Sequence, residues 1–131
     1  MEKDFESWHL LKTKINENKT RYLFREQEVW WCFLGANIGD EQDGKGLAFK
    51  RPVIIFKKYS SNLFLAIPLS TKIKDRFFNH IFEFKNIKQC ALLSQARIID
   101  AKKLSHKLGK LTVSEYKEIS EKFKKLLFRE N

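Results

Sequence analysis

Between Lys50 and Arg76 the chain carries seven basic residues, Lys50, Arg51, Lys57, Lys58, Lys72, Lys74 and Arg76, against the single acid Asp75. Such a run attracts polyanions, because guanidinium and ammonium groups are charge-assisted donors to phosphate oxygens. Any one of these side chains taken alone solvates a strand end or a loop; their grouping is what points to a phosphate-bearing ligand. Further along, Ser94, Gln95 and Arg97 interrupt an otherwise apolar run from Ala91 to Ile99. A polar group embedded in such a run must turn to a rim, a charge partner or a ligand. A ligand is thus one of the roles open to Gln95 and Arg97. The competing roles are structural: Arg97 paired with an acid such as Glu41, and Gln95 satisfying a backbone edge.

Several other chemistries lack their residues. His9, His80 and His106 are scattered, with no His-Glu-x-x-His or Cys/His ligand spacing, so no metal centre or other cofactor is expected. No Gly-x-Ser-x-Gly sequence or positioned Ser-His-Asp set supports acyl transfer. His80 shares a strand face with Phe78 and Phe82, where a packed structural imidazole is expected ahead of a general base. Cys32 and Cys90 form neither a CxxC pair nor a disulfide framework, and read as buried thiols.

The elements that must position these groups belong to one domain. A length of 131 residues, 43% hydrophobic with 12 Phe and 3 Trp, supports a single sizeable core despite a formal charge of +10. No apolar run approaches a membrane span, and Met1-Glu2-Lys3-Asp4 lacks the start of a secretory signal, so a cytoplasmic location is expected. Trp8, Leu11 and Ile15 predict a short amphipathic helix within an N-terminal extension, residues 1–25, ahead of a domain covering 26–131.

Val29 to Leu34 reads as a strand, and Gly35 to Phe49, with four glycines, as a long substrate-facing connection. Pro52–Phe56 and Leu63–Leu69 read as strands joined by a polar turn, Phe78–Phe84 as an alternating strand, and Ala91–Ile99 as a largely buried one. Asp100 is placed to cap a short helix reaching Leu108, with Gly109 as its exit. Thr112 and Glu115 have capping-box spacing, and open a C-terminal helix with the stripe Val113, Tyr116, Ile119, Phe123, Leu126 and Leu127. The pattern predicts a mainly β fold with peripheral helices. Five short strands favour a partly closed barrel, since an open sheet would expose two reactive edges, with an open α+β sandwich as the alternative that periodicity leaves standing.

The combination of segments resembles the PemK/MazF family of toxin ribonucleases. Val29-Trp30-Trp31-Cys32-Phe33-Leu34-Gly35 looks like that family's first strand, followed by its loop with Asn37-Ile38-Gly39-Asp40-Glu41-Gln42. Lys50-Arg51-Pro52-Val53-Ile54-Ile55 resembles its Arg-Pro strand start, and Ile67-Pro68-Leu69-Ser70-Thr71 its hydroxyl segment. Leu93-Ser94-Gln95-Ala96-Arg97-Ile98-Ile99-Asp100 is similar to the late strand supplying Gln and Arg. The likeness runs from about Glu26 to Leu127, in order and at compatible spacing.

The resemblance implies an SH3-like barrel, a homodimer, metal-independent cleavage of single-stranded or messenger RNA, and a neutralising antitoxin protein. It places the catalytic arginine at Arg51 and the catalytic hydroxyl at Ser70, where the family has threonine. A displacement of one residue would nominate Thr71, which points to the opposite face of a regular strand. Glu41, Thr71, Gln95 and Arg97 are the implied substrate-binding positions. The alternatives are a noncatalytic SH3-like module binding RNA or protein, or a toxin directed at a nucleic-acid-processing protein.

Overall fold

The computed structural model describes Ser7, residues 22–35 and residues 50–129. The expected N-terminal helix and the 35–49 connection beyond Gly35, with Glu41 in it, lie outside the described residues. Seven strands are described, not five: β1 (Glu28–Phe33), β2 (Lys50–Lys58), β3 (Leu63–Ser70), β4 (Asn79–Phe84), β5 (Ile87–Leu92), β6 (Arg97–Asp100) and β7 (Leu104–Lys110). One helix, α1 (Val113–Leu127), follows them.

Strand β2 is the centre of the packing, because Val53, Ile54 and Ile55 are all buried and alternate between its two faces. Val53 and Ile55 join Trp30, Cys32, Phe64, Ala66, Ile99 and Leu104 in one cluster, into which Phe24 packs fully buried. Ile54 joins Val29, Ile67, Leu69, Phe82 and Ala91 on the other face, beneath Ile119 and Phe123 of α1. Phe56 is edge-on to Phe123, ring centroids 5.1 Å apart, and accepts at its carbonyl the hydroxyl of Tyr116. Burying each such large side chain contributes about 1.5–3 kcal/mol, which fixes α1 on the sheet. The helix starts where expected: the Thr112 hydroxyl accepts from the Glu115 amide at 3.1 Å.

The sheet is open, which overturns the partly closed SH3-like barrel. Its order is β4-β5-β3-β2-β1-β7, with β6 beside β3, and no ladder joins β4 to β7. The reason lies in β3, whose second edge is divided: Leu63–Ala66 pair with β6, and Leu69–Ser70 with β5. The β4–β5 hairpin therefore branches from one end of β3. It turns through Lys85 and Asn86, both at positive φ (52° and 64°), the backbone of a tight two-residue hairpin turn. Lys85 reaches β7 only through its side chain, donating to the carbonyl of Leu108. The two edges are protected without closure. Strand β4 is six residues long, and β7 carries the exposed lysines Lys107 and Lys110.

Two further expectations fail for local reasons. The run Ala91–Ile99 is two strands, broken by a 3₁₀ turn over Leu93–Gln95, so Ser94 and Gln95 mark a corner and not a polar patch in a strand. Asp100 does cap, accepting from the Lys102 amide at 2.9 Å, but only a 3₁₀ turn at Ala101–Lys103. Leu104–Lys110 then continues as edge strand β7, not helix.

Candidate functional site

Strand pairing assembles the site. Val53 is opposite Pro68, so continuing the antiparallel register brings Arg51 of β2 alongside the end of β3 at Ser70. The contact is direct: Arg51 Nη1 lies 3.4 Å from the Leu69 carbonyl oxygen, to which it donates. Arg51 is 4% exposed and Ser70 6%, so both polar groups are held by packing at the end of the sheet. Ser70 Oγ accepts from the Lys72 amide at 3.1 Å, which fixes the start of the basic 71–76 segment to the hydroxyl.

That segment is gripped a second time. Asn79 Nδ2 donates to the Lys74 carbonyl at 3.0 Å, and the Cys90 thiol contacts the same oxygen at 3.7 Å. Lys72, Lys74 and Arg76 are exposed on it, so a positive surface begins directly beside Ser70.

Thr71 is exposed in the bend after β3, no longer part of the strand. Arg97, on β6, donates through Nη2 to the Leu34 carbonyl at 3.2 Å. Leu34 follows directly on β1, whose Cys32 is paired with Arg51, so Arg97 reaches the same end of β1 as Arg51 does. Gln95 closes the 3₁₀ turn two residues before Arg97. Arg51, Ser70 and Lys72 are thus brought together and Arg97 is anchored near them, whereas Glu41 lies outside the described residues.

His80 belongs to the other side of the sheet. Leu69 and Ala91 are paired and both lie in the cluster under α1, so Ser70 and its partner Cys90 turn to the opposite face. His80 stacks on Phe82, centroids 5.8 Å apart, and shares a 3.0 Å hydrogen bond with Glu115 of α1. A cleft of about 430 Å³ lined by Phe77, Phe78, Leu93 and Phe123 among others has no ionisable side chain in its wall, so it offers no acid–base chemistry.

One buried charge was missed by sequence reasoning. Glu28 is 6% exposed and accepts from the Arg25 amide (2.9 Å) and Trp30 Nε1 (3.0 Å), and its other oxygen meets Lys107 Nζ at 2.8 Å. Burial pushes its carboxyl up, but the hydrogen bonds from Lys107, Trp30 and Arg25 and the charge of Lys107 together outweigh that and hold it below its ordinary value. Its signal was an acid directly preceding a fully apolar strand.

A sequence model of the family described as PemK-like, MazF-like toxin of type II toxin-antitoxin system matches residues 25–127. The chain belongs to that family. The toxin is an endoribonuclease of the PemK/MazF type, acting on single-stranded RNA. Its fold is similar to a crystal structure of MazF from Deinococcus radiodurans (TM-score 0.67, 19% identity, 82% of this chain and 99% of that one). It is also similar to a chain in a MazE-MazF crystal structure from the same organism (TM-score 0.63, 16% identity, 83% and 99%). No curated protein matches the toxin's sequence. An RNA substrate and an antitoxin partner are typical of such systems. No helix among the described residues is long and apolar enough to cross a membrane.

Proposed function

We propose that the toxin cleaves RNA by attack of a ribose 2′-hydroxyl on its own adjacent phosphate, with Arg51 and Ser70 as the catalytic residues. A bond forms from the 2′-oxygen to phosphorus while the bond to the 5′-oxygen breaks. The 2′-hydroxyl gives up its proton, and the leaving 5′-oxygen gains one. The products are a 2′,3′-cyclic phosphate and a 5′-hydroxyl end, and no water takes part in this step.

Arg51 donates to the nonbridging oxygens, where negative charge grows, and so binds the transition state more strongly than the ground state. Ser70 holds the ribose hydroxyl or the phosphate in line through its own hydroxyl. Lys72, Lys74 and Arg76 guide the backbone in, and Glu41, Thr71, Gln95 and Arg97 make up the remaining substrate contacts. The adjacency of Arg51 and Ser70, both buried at the end of the β2–β3 pair, is the observation that carries this reading.

The decisive experiment follows the ends produced from one single-stranded RNA by purified toxin in EDTA. Cyclic phosphate ends support the mechanism; binding without cleavage, or 3′-hydroxyl ends, would defeat it. The toxin acts in this reading as a cytoplasmic homodimer whose antitoxin covers the basic surface with an acidic or amphipathic segment. Support for a protein partner comes from the second similar structure, which is of MazE-MazF. An active, monodisperse monomer would refute the dimer, and an antitoxin complex that still admits RNA would refute occlusion.

A further inference from the structure

We propose that His80, Glu115 and Glu118 form a binding site for a divalent cation of the zinc type, outside the catalytic groove. One ligand atom from each lies within 4.8 Å of the other two. Zinc bonds of ~2 Å in tetrahedral geometry set ligand atoms about 3.3 Å apart, so small side-chain rotations complete the set. His80 Nε2 and Glu115 Oε2 are already 3.0 Å apart. The groups come from two elements fixed independently: His80 is on β4, stacked on Phe82, and both acids are on α1, Glu115 in its capped first turn and Glu118 in the next.

Charge supplies the second argument. Glu118 has Lys122 one turn further along α1, the spacing at which a helix forms its ordinary Glu–Lys pair. No ion pair of Glu118 occurs among the described residues; its carboxylate sits instead beside that of Glu115. Two carboxylates this close repel, and one imidazole, protonated or not, leaves the group with net negative charge in a chain of +10. Acids are favourable in the first turns of a helix, but that preference does not require both to converge on one histidine. A shared divalent cation removes the repulsion and uses all three groups as ligands. One imidazole nitrogen with carboxylate oxygens suits zinc better than calcium or magnesium, which take oxygen sets.

Position separates this site from catalysis. His80 is paired across β5 with Ala91 on the α1 face, whereas Ser70 is on the reverse face. The cation therefore clamps β4 to α1 and leaves the groove alone.

The test titrates zinc chloride into untagged, full-length toxin by calorimetry, with melting curves in parallel. Wild type should bind in a saturable 1:1 step and melt at a higher temperature with zinc. E118Q, altered at an exposed position, should bind at least about tenfold more weakly and H80N should lose the thermal shift, since losing even a residue that only supports a ligand costs ~10–100-fold in metal affinity. E121Q, elsewhere on the helix, should bind as wild type, and the RNA cleavage rate should be the same in zinc and in EDTA. No saturable binding, or E118Q binding as wild type, would overturn the site. Should H80N fail to fold, E118Q alone decides.

Discussion

Two buried charges occupy opposite ends of the ladder between β1 and β2. Glu28 precedes the Val29–Ile54 pair at one end, and Arg51 faces Cys32 near the other. They are almost equally hidden, 6% and 4% exposed. Their surroundings differ in kind. Glu28 gathers a main-chain amide, an indole and an ammonium group from its own strand, the segment before it and β7, so it ties three pieces of the fold together. Arg51 touches a carbonyl at the end of β3, next to a buried hydroxyl and a basic surface. Burial alone therefore does not separate Glu28 from Arg51, the charge proposed for catalysis. What the charge is aimed at decides.

The largest expected effect breaks the Arg51 end. R51A should lower the cleavage rate on the order of 10²–10³-fold, the usual cost of deleting one transition-state donor, while the protein stays folded. Folded R51A with near-wild-type turnover would remove Arg51 from the mechanism.

Next comes the hydroxyl. S70A should slow cleavage by about tenfold or more, S70T should retain or raise it, and T71A should have the smaller effect. Ser70 is buried with its Oγ bonded to the Lys72 amide, whereas Thr71 is exposed, so the two differ in how well they are positioned. Normal rates in S70A alongside an inactive T71A would move the site by one residue. If neither substitution mattered, a hydroxyl-assisted step would be wrong even were R51A inactive.

At the Glu28 end the effect should be on stability. E28Q weakens the contact with Lys107 and costs about 1–3 kcal/mol, with cleavage per folded molecule unchanged. Because the folded carboxyl titrates below its ordinary value of 4.5, its contribution is complete above that value and is lost as pH falls through the folded value. Wild type should therefore lose its advantage over E28Q on acidification below about pH 4.5, in denaturant melts at a series of pH values. A difference independent of pH would show that the charge is not what stabilises.

The same contrast explains what the sequence could and could not disclose. Strands β1 to β4 were legible because their apolar runs are long or alternate strictly, and the C-terminal helix because Thr112 and Glu115 announce it. Strand β7 read as helix because it is an exposed edge whose register with β1 slips between Val29 and Trp30 and again between Trp31 and Cys32. Each slip spoils the two-residue alternation that identifies a strand. Openness of the sheet was out of reach, since division of the β3 edge depends on strands far apart in the chain. Arg51 and Ser70 were nominated by resemblance, and their adjacency needed the β2–β3 register. Glu28 could not be ranked above other acids until its three donors were placed around it.

The smallest effect belongs to Cys32, whose backbone is paired with that of Arg51. Burial pushes its thiol up to about 12, against the opposing charges of Lys103 and Arg97. A thiol is nucleophilic as its thiolate, so at neutral pH and in the native state Cys32 should be inert to iodoacetamide. Reaction should appear only once the protein is unfolded, and cleavage should be unaffected by treatment of the native toxin. Peptide mapping after timed alkylation distinguishes Cys32 from Cys90, which is also buried. Rapid native modification at Cys32 with loss of cleavage would mean that the ladder opens at the Arg51 end. Arg51 would then be held less rigidly than its burial implies, and the contrast with Glu28 would become one of local stability and not of aim.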